Sequence, residues 1–350
     1  MTPALLAGRL RAAPIDDDPD GQWPTMGWLA LREAGVPRWT IPADFGGDGG
    51  PTDEILDGCI ELARWRLTPT FVLSQFQSAV ARIVASANAP LKGEWLPRLA
   101  AGDAFTTVGI SHLTTSRQHQ GQPAVAATPV HGGYRVSGEI PWVTAAGRAD
   151  VIVAGATLDD GRQILFALPR ESEGATIDPP WTLLALTGSE TGPVRLRDVF
   201  VPHARVLDGP RSQVLQSGGT AGAGSLTTSA LALGHALGCL DRLQDEAARR
   251  ETLKGIVAAF DNDAAGLWER LLKSAGGGET ADTPETLRAA ATSLALSTSQ
   301  ALLTASKGAG FVAGHPAERL AREAMFFLVW SCPQAVSNRL LREFSGCDEF

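Results

Sequence analysis

The apolar residues of this chain change their period twice, and that change constrains the fold more than any single motif. Over residues 1–100 they recur at helical spacing, with candidate helices at 28–34, 54–65 and 71–86. Over residues 105–207 the pattern becomes one of short strands. Tyr134-Arg135-Val136-Ser137 alternates, while Val151-Ile152-Val153-Ala154 and Ile164-Leu165-Phe166-Ala167-Leu168 are unbroken apolar runs of strand length. Val194-Arg197 alternates again before Val199-Phe200-Val201, and Gly, Asp and Pro clusters punctuate the segments. A Gly-rich hinge at 217–224 precedes a return to helical spacing at 227–250, 256–274, 283–307 and 317–330. Thr283 before Pro284 marks a helix start. Glu318 with Arg322, and Arg319 with Glu323, give the last of these helices one charged face. The expected fold is mainly α with a central β domain. It comprises an N-terminal helical domain (1–103), an antiparallel β sandwich or barrel (104–212) and a C-terminal four-helix bundle (213–350).

A chain of 350 residues with 44% hydrophobic content can bury a large core. The net charge of −8 is scattered, and without a basic stripe it argues against nucleic acid or an anionic membrane surface as partner. Asp16-Asp17-Asp18 reads as a solvated turn rather than a metal site. Cys59, Cys239, Cys332 and Cys347 form no CxxC pair, so neither a metal nor a disulfide framework is expected. No run approaches a membrane span or a signal peptide, and a cytoplasmic protein is the expectation.

Several short segments stand in a telling order. They are Ile41-Pro42-Ala43-Asp44-Phe45-Gly46-Gly47, then Gly133-Tyr134 through Trp142-Val143-Thr144, then Ala149-Asp150. Asp198-Val199-Phe200-Val201-Pro202 with Val206-Leu207, Gly308-Ala309-Gly310-Phe311, and His315-Pro316 followed by Arg322-Glu323-Ala324 come next. Together they resemble the "(I/V)PEEYGG", "GYxLNGxKxWIT", "DVxVPxxxVL" and "GGxGF…P…R…RDA" segments of the acyl-CoA dehydrogenases, over most of the chain. The resemblance implies that family's three-part fold, FAD as cofactor, and a small-molecule substrate such as an acyl-CoA. It also implies a homo-oligomer, dimer or tetramer. Trp142 and Thr144 fall where the family sets a Trp and a Thr against the flavin ring. The loop 110–117 falls where the family's "TEPxxGSD" binds flavin and pyrophosphate, which assigns Ser111, Thr115 and Ser116 to the cofactor. Arg249 keeps the arginine of "RxxFG". From the residues alone, Trp142 reads equally as a core or subunit contact, and the polar loop as a set of turn caps.

The family's α-proton base is a glutamate nine residues after the Arg of "RDAxxxxIYEGT". Here that position is Ser331, followed by Cys332 and Pro333. A serine alone is a poor base at neutral pH. His235 and His315 are candidate partners for it, and Cys332 is a nucleophile with no evident activator. The other position used in the family, near 224–229, holds no acid. Asp241 and Glu246 are weaker candidates, since beside Arg242, Arg249 and Arg250 they suit an exposed face. Glu323 reads as a surface or inter-helix ion pair, and the family's "QxxGGxG" glutamine becomes Thr304. His112, Arg117, His119 and Trp330 are candidate pocket residues. The expectation is an FAD-dependent oxidoreductase of CH–CH donors with a non-standard base and no assigned catalytic residue. Two alternatives stand beside it: a flavin monooxygenase or oxidase, which needs no α-proton base, and a catalytically inactive binding or assembly protein.

Overall fold

The computed structural model describes residues 1–12, 20–113, 123–216 and 226–346. Helices α1 (Pro3–Ala12), α2 (Thr25–Glu33), α3 (Thr52–Trp65), α4 (Leu67–Ala85) and α5 (Ala89–Ala101) come first. Strands β1 (Thr106–Gly109), β2 (Val125–Val130), β3 (Gly133–Val143), β4 (Val151–Leu158), β5 (Gln163–Pro169), β6 (Ala175–Ile177), β7 (Gly192–Pro202) and β8 (Val206–Arg211) follow. Helices α6 (Leu226–Ala247), α7 (Lys254–Ala275), α8 (Pro284–Ser306), α9 (Pro316–Phe326) and α10 (Gln334–Ser345) close the chain. The helix, strand, helix order expected from periodicity is the observed one.

The strands form one sheet in the order β6-β7-β3-β2-β4-β5-β8, with β1 beside β4. Most neighbours are antiparallel, but β1 and β2 both run parallel to successive stretches of β4. The unbroken apolar runs of β4 and β5 have a direct cause: both of their faces are buried. Ile152, Phe166, Val136 and Val199 pack on one side, while Val151, Val153 and Leu165 meet Phe76, Val80 and Trp95 of α4 and α5 on the other. The two segments read separately at 194–197 and 199–201 are one strand, β7, and the β3–β7 register shifts between Val136 and Gly138.

In the bundle, α6 is buried along nearly its whole length and lies close against α3. Gly234 permits that approach, since a Cβ there would sit 2.2 Å from the Ile60 carbonyl oxygen and 2.7 Å from Ala63 Cβ. Thr283 caps α8 as expected, its side chain and that of Thr286 each accepting from the other's main-chain N–H. Helix α9 stops at Phe326, earlier than the helical spacing through Trp330 predicts, and residues 327–331 form a turn. Among the described residues, no helix is long and apolar enough to cross a membrane.

Gly234→Ala is expected to lower the unfolding free energy in urea by about 1–3 kcal/mol through overpacking. Gly266 lies on the exposed side of α7, with nothing within 4 Å of the place its methyl would take. Gly266→Ala is therefore expected to raise the unfolding free energy by about 0.5–1 kcal/mol. Equal effects at the two sites would contradict the close α3–α6 approach.

Candidate functional site

Strand β3 ends in Trp142 and Val143 and runs on into Thr144, and alternation sets their fates. Val143 enters the core, whereas Trp142 is left 50% exposed. One side of its indole is met edge-on by Trp181, with ring centroids 4.3 Å apart at 76°. Thr144 is buried, and its Oγ1 lies 2.9 Å from Oγ1 of Thr191, which lies 2.8 Å from Oγ of Ser189. The Ala145 N–H donates to the Ser189 carbonyl at 3.0 Å. Ser111 sits in a short 3-10 turn packed against β3. Its neighbour His112 is buried, with a ring nitrogen 2.9 Å from the Gly155 carbonyl oxygen, and burial lowers its pKa.

Segment 178–191, between β6 and β7, therefore carries the partners of both Trp142 and Thr144. Its middle is docked into the bundle, where Ala185 and Leu186 join the apolar core. Arg322 of α9 fastens it, donating to the Leu184 carbonyl at 2.9 Å, to Asp20 at 2.8 Å and to Glu318 at 2.7 Å. The bonds to Glu318 and Asp20 hold this guanidinium protonated well beyond its ordinary range. At the other end, Arg148 makes a bidentate pair with Glu190 at 2.7 and 2.8 Å. Sequence alone missed Trp181, Ser189 and Thr191; small polar residues ahead of a strand look like any turn.

Position 331 lies in the turn after α9. Arg288 of α8, fully buried, gathers this turn by donating to the carbonyls of Phe327 (2.8 Å) and Trp330 (2.9 Å), and to that of Thr228 (3.1 Å) in α6. Burial pulls its pKa down to about 10. Trp330 stacks on Phe326 at 5.1 Å and meets Phe71 of α4 edge-on at 4.9 Å. Ser331 follows with φ 47°, in the left-handed region. The two histidines considered as its partners are engaged elsewhere. His315 caps α9 by accepting from the Ala317 N–H at 3.1 Å, and His235 lies 3.0 Å from the Leu320 carbonyl oxygen. The Cys332 thiol is raised by burial, with Arg288 only tempering the shift, so it is not an activated nucleophile. Asp241 is committed to Arg64 at 2.8 Å and Arg11 at 3.2 Å, and Glu246 to Arg250.

The chain is similar in sequence and fold to known proteins. The family model described as acyl-CoA dehydrogenase, N-terminal domain, matches residues 6–103. The probable acyl-CoA dehydrogenase YngJ of Bacillus subtilis is 26% identical over 257 residues, covering 69% of this chain and 65% of that protein. A glutaryl-CoA dehydrogenase of Mycobacterium smegmatis, solved in complex with FADH2, superposes with a TM-score of 0.84 at 18% identity, over 99% of this chain and 95% of that one. Residues 6–103 thus match the N-terminal domain of the acyl-CoA dehydrogenases, and the chain as a whole has the acyl-CoA dehydrogenase fold. The oxygenase subunit HsaA of a flavin-dependent monooxygenase from Rhodococcus jostii is 36% identical, but over 89 residues only, 24% of this chain and 23% of that protein. The chain thus spans less than two thirds of the length of these two curated relatives.

Against the superfamily pattern, the sequence-assigned cofactor residues divide. Trp142, Thr144 and the Ser111 turn share one end of the sheet. Arg249 lies beyond the end of α6, its side chain 78% exposed and 3.9 Å from Glu246, with no contact to that group. Thr115 and Ser116, with Arg117 and His119, lie outside the described residues, as do the 16–18 and 217–224 stretches and Cys347.

Glu323, which stands in the Asp position of the acyl-CoA dehydrogenase "RD" and read as a surface or inter-helix ion pair, is buried between helices rather than at the surface. It turns inward from the Glu318–Arg322 pair toward α6, and its Oε2 lies 3.7 Å from His235 Nδ1. Burial raises its carboxyl to about 7 and lowers His235 to about 4. His235 Nε2 donates to the Leu320 carbonyl oxygen, which leaves Nδ1 as a lone pair facing a protonated Glu323. Cys239 Sγ lies 3.7 Å from that same Nε2, and burial drives its thiol far above the ordinary range. The Cys239–His235–Glu323 line is therefore not an activated triad.

Because the folded carboxyl titrates above its unfolded value, Glu323 contributes stability below about pH 4.5 that is lost as pH rises to about 7. Relative to wild type, Glu323→Gln is expected to gain on the order of 3 kcal/mol of unfolding free energy across that window and nothing further above it. A difference that stays flat between pH 5 and pH 8 in urea titrations would contradict the buried acid.

Proposed function

We propose that this chain is an FAD-dependent oxidoreductase of the acyl-CoA dehydrogenase type, acting on an acyl thioester or related small molecule without a carboxylate base at position 331. The observation that carries this reading is Trp142, an indole left half exposed beside a buried chain of three hydroxyls. A strand tryptophan kept out of the core offers an apolar, polarisable wall suited to a flat heteroaromatic ring. The Thr144 hydroxyl, at the head of the Thr144–Thr191–Ser189 chain, retains capacity for a further bond to a ring heteroatom. These residues fit a flavin, which when bound would supply a two-electron acceptor. Trp142 would stack or wedge against it, and segment 178–191 would hold Trp142 and Thr144 in register. Phe71, Phe326 and Trp330 form an apolar wall next to Ser331 that would keep water from the reacting carbon. Exposed Phe311, Val312, Val329 and Phe344 on the bundle suit burial against a second copy of the chain.

A second reading rests on the same position 331. Oxygen chemistry at a reduced flavin needs no α-proton base, and a relative of this chain is named as a monooxygenase subunit. The two readings separate under anaerobic conditions. On the first, an acyl-CoA bleaches the visible absorbance of the FAD-loaded protein. On the second, only an external reductant bleaches it, and oxygen then restores it. Ser331→Ala is expected to change the bleaching rate by less than about threefold, where loss of a general base costs about 10²–10⁴-fold. A hundredfold loss would make Ser331 catalytic and overturn the proposal. Trp142→Ala is expected to weaken FAD binding by about three- to tenfold in a fluorescence titration; unchanged affinity would remove Trp142 from the site.

A further inference from the structure

A crevice between the α3–α4 junction and α9 holds chemistry that the flavin reading does not use. It encloses about 70 Å³, the room of about five water molecules. Glu323 forms one wall. Its side chain is nine-tenths buried, and its nearest nitrogens, His235 Nδ1 at 3.7 Å and Arg319 Nε at 4.0 Å, both stand beyond hydrogen-bond distance. Arg319 Nε is buried as well and has no hydrogen-bond partner among the described residues. Opposite them, residues 66–69 line the same space. They are the start of α4, a 19-residue helix whose N-terminus has no side-chain cap. A guanidinium N–H and a helix N-terminus without a side-chain cap are donors or positive ends, and among the described residues the protonated carboxyl beside them faces only the His235 Nδ1 lone pair, 3.7 Å away.

We propose that this crevice binds a small monoanion of the carboxylate class, held between the Glu323 hydroxyl, Arg319 Nε and the first turn of α4. The surrounding charges are consistent with an anion. From α9, Arg322 and Glu318 are paired with each other, and Arg322 also with Asp20. From the α3–α4 junction, Arg64 is paired with Asp241, and Arg66 lies over the Trp65 ring. From α6, His235 is neutral, with the thiol of Cys239 behind it. Among the described residues Arg319 has only the distant Glu323 as its ion pair, so a bound carboxylate would complete its coordination. Buried unsatisfied donors are costly, which is what a fitting ligand would relieve.

The site carries its own pH dependence. An anion is bound by Glu323 as an acid, and burial keeps that acid protonated up to about pH 7. Affinity is therefore full below that value and falls about tenfold for each pH unit above it. The proposal does not require a bound flavin and stands apart from it in test. Saturation-transfer NMR of acetate with the full chain, at about pH 6 and about pH 8.5 and fixed ionic strength, reads it directly. Acetate is expected to bind at the lower pH and at least tenfold more weakly at the higher. Glu323→Gln, an isosteric donor that cannot ionise, is expected to bind alike at both. Arg319→Gln, at a partly exposed position, is expected to weaken binding at least tenfold at the lower pH while circular dichroism stays unchanged. Absence of acetate binding at about pH 6, binding indifferent to Arg319→Gln, or a pH dependence that survives Glu323→Gln would each overturn it.

Discussion

The guanidinium of Arg322 bonds at once to its own helix, to Asp20 ahead of α2 and to the main chain of segment 178–191. Hydrogen bonds from a charged donor are worth about 1.5–3 kcal/mol each, and this one side chain concentrates several of them between separate parts of the chain. Because segment 178–191 also carries Trp181, Ser189 and Thr191, the fastening at α9 reaches the end of β3. The exposed indole of Trp142 is thus positioned by a sheet, a loop and a helix bundle together rather than by its own strand. A site assembled in this way is set by packing between layers, and it tolerates change at any single reacting position.

Position 331 illustrates that tolerance. The turn that carries it is shaped by Arg288, whose bonds go to backbone carbonyls and so do not depend on the identity of residue 331. A serine can stand where the superfamily places a glutamate without loosening α8, α9 or α6. The scaffold and the chemistry are separable here, which is why the acyl-CoA dehydrogenase fold leaves the reaction open.

Much of the fold was legible in the sequence, because helical and strand periods report which side of an element is buried. Thr283 with Pro284 announced the start of α8, and the unbroken apolar runs of β4 and β5 announced strands. The end of α9 was not legible. Its apolar spacing continues to Trp330, and the stop comes from Arg288 reaching across from another helix. Helix α5 was hidden by Gly93 and by Pro97 inside it, and α10 by its polar composition. Glu323 misled for a related reason: its i,i−4 relation to Arg319 describes the helix, while its burial is decided by α6. At the end of β3, Trp142 and Thr144 were reached only through their flanking motif. Their partners from segment 178–191 carry no local signal, since nothing in a Ser-Glu-Thr run says which strand end it will meet.

The central functional claim is that this sheet end binds a flavin, and the visible spectrum of the purified chain, taken before and after adding FAD and removing the excess by gel filtration, tests it most directly. The account predicts the two absorption bands of oxidised flavin, retained with the protein at close to one FAD per chain. A colourless protein that returns all added FAD to the small-molecule fraction would contradict it, and would leave the scaffold as a binding or assembly protein without redox chemistry.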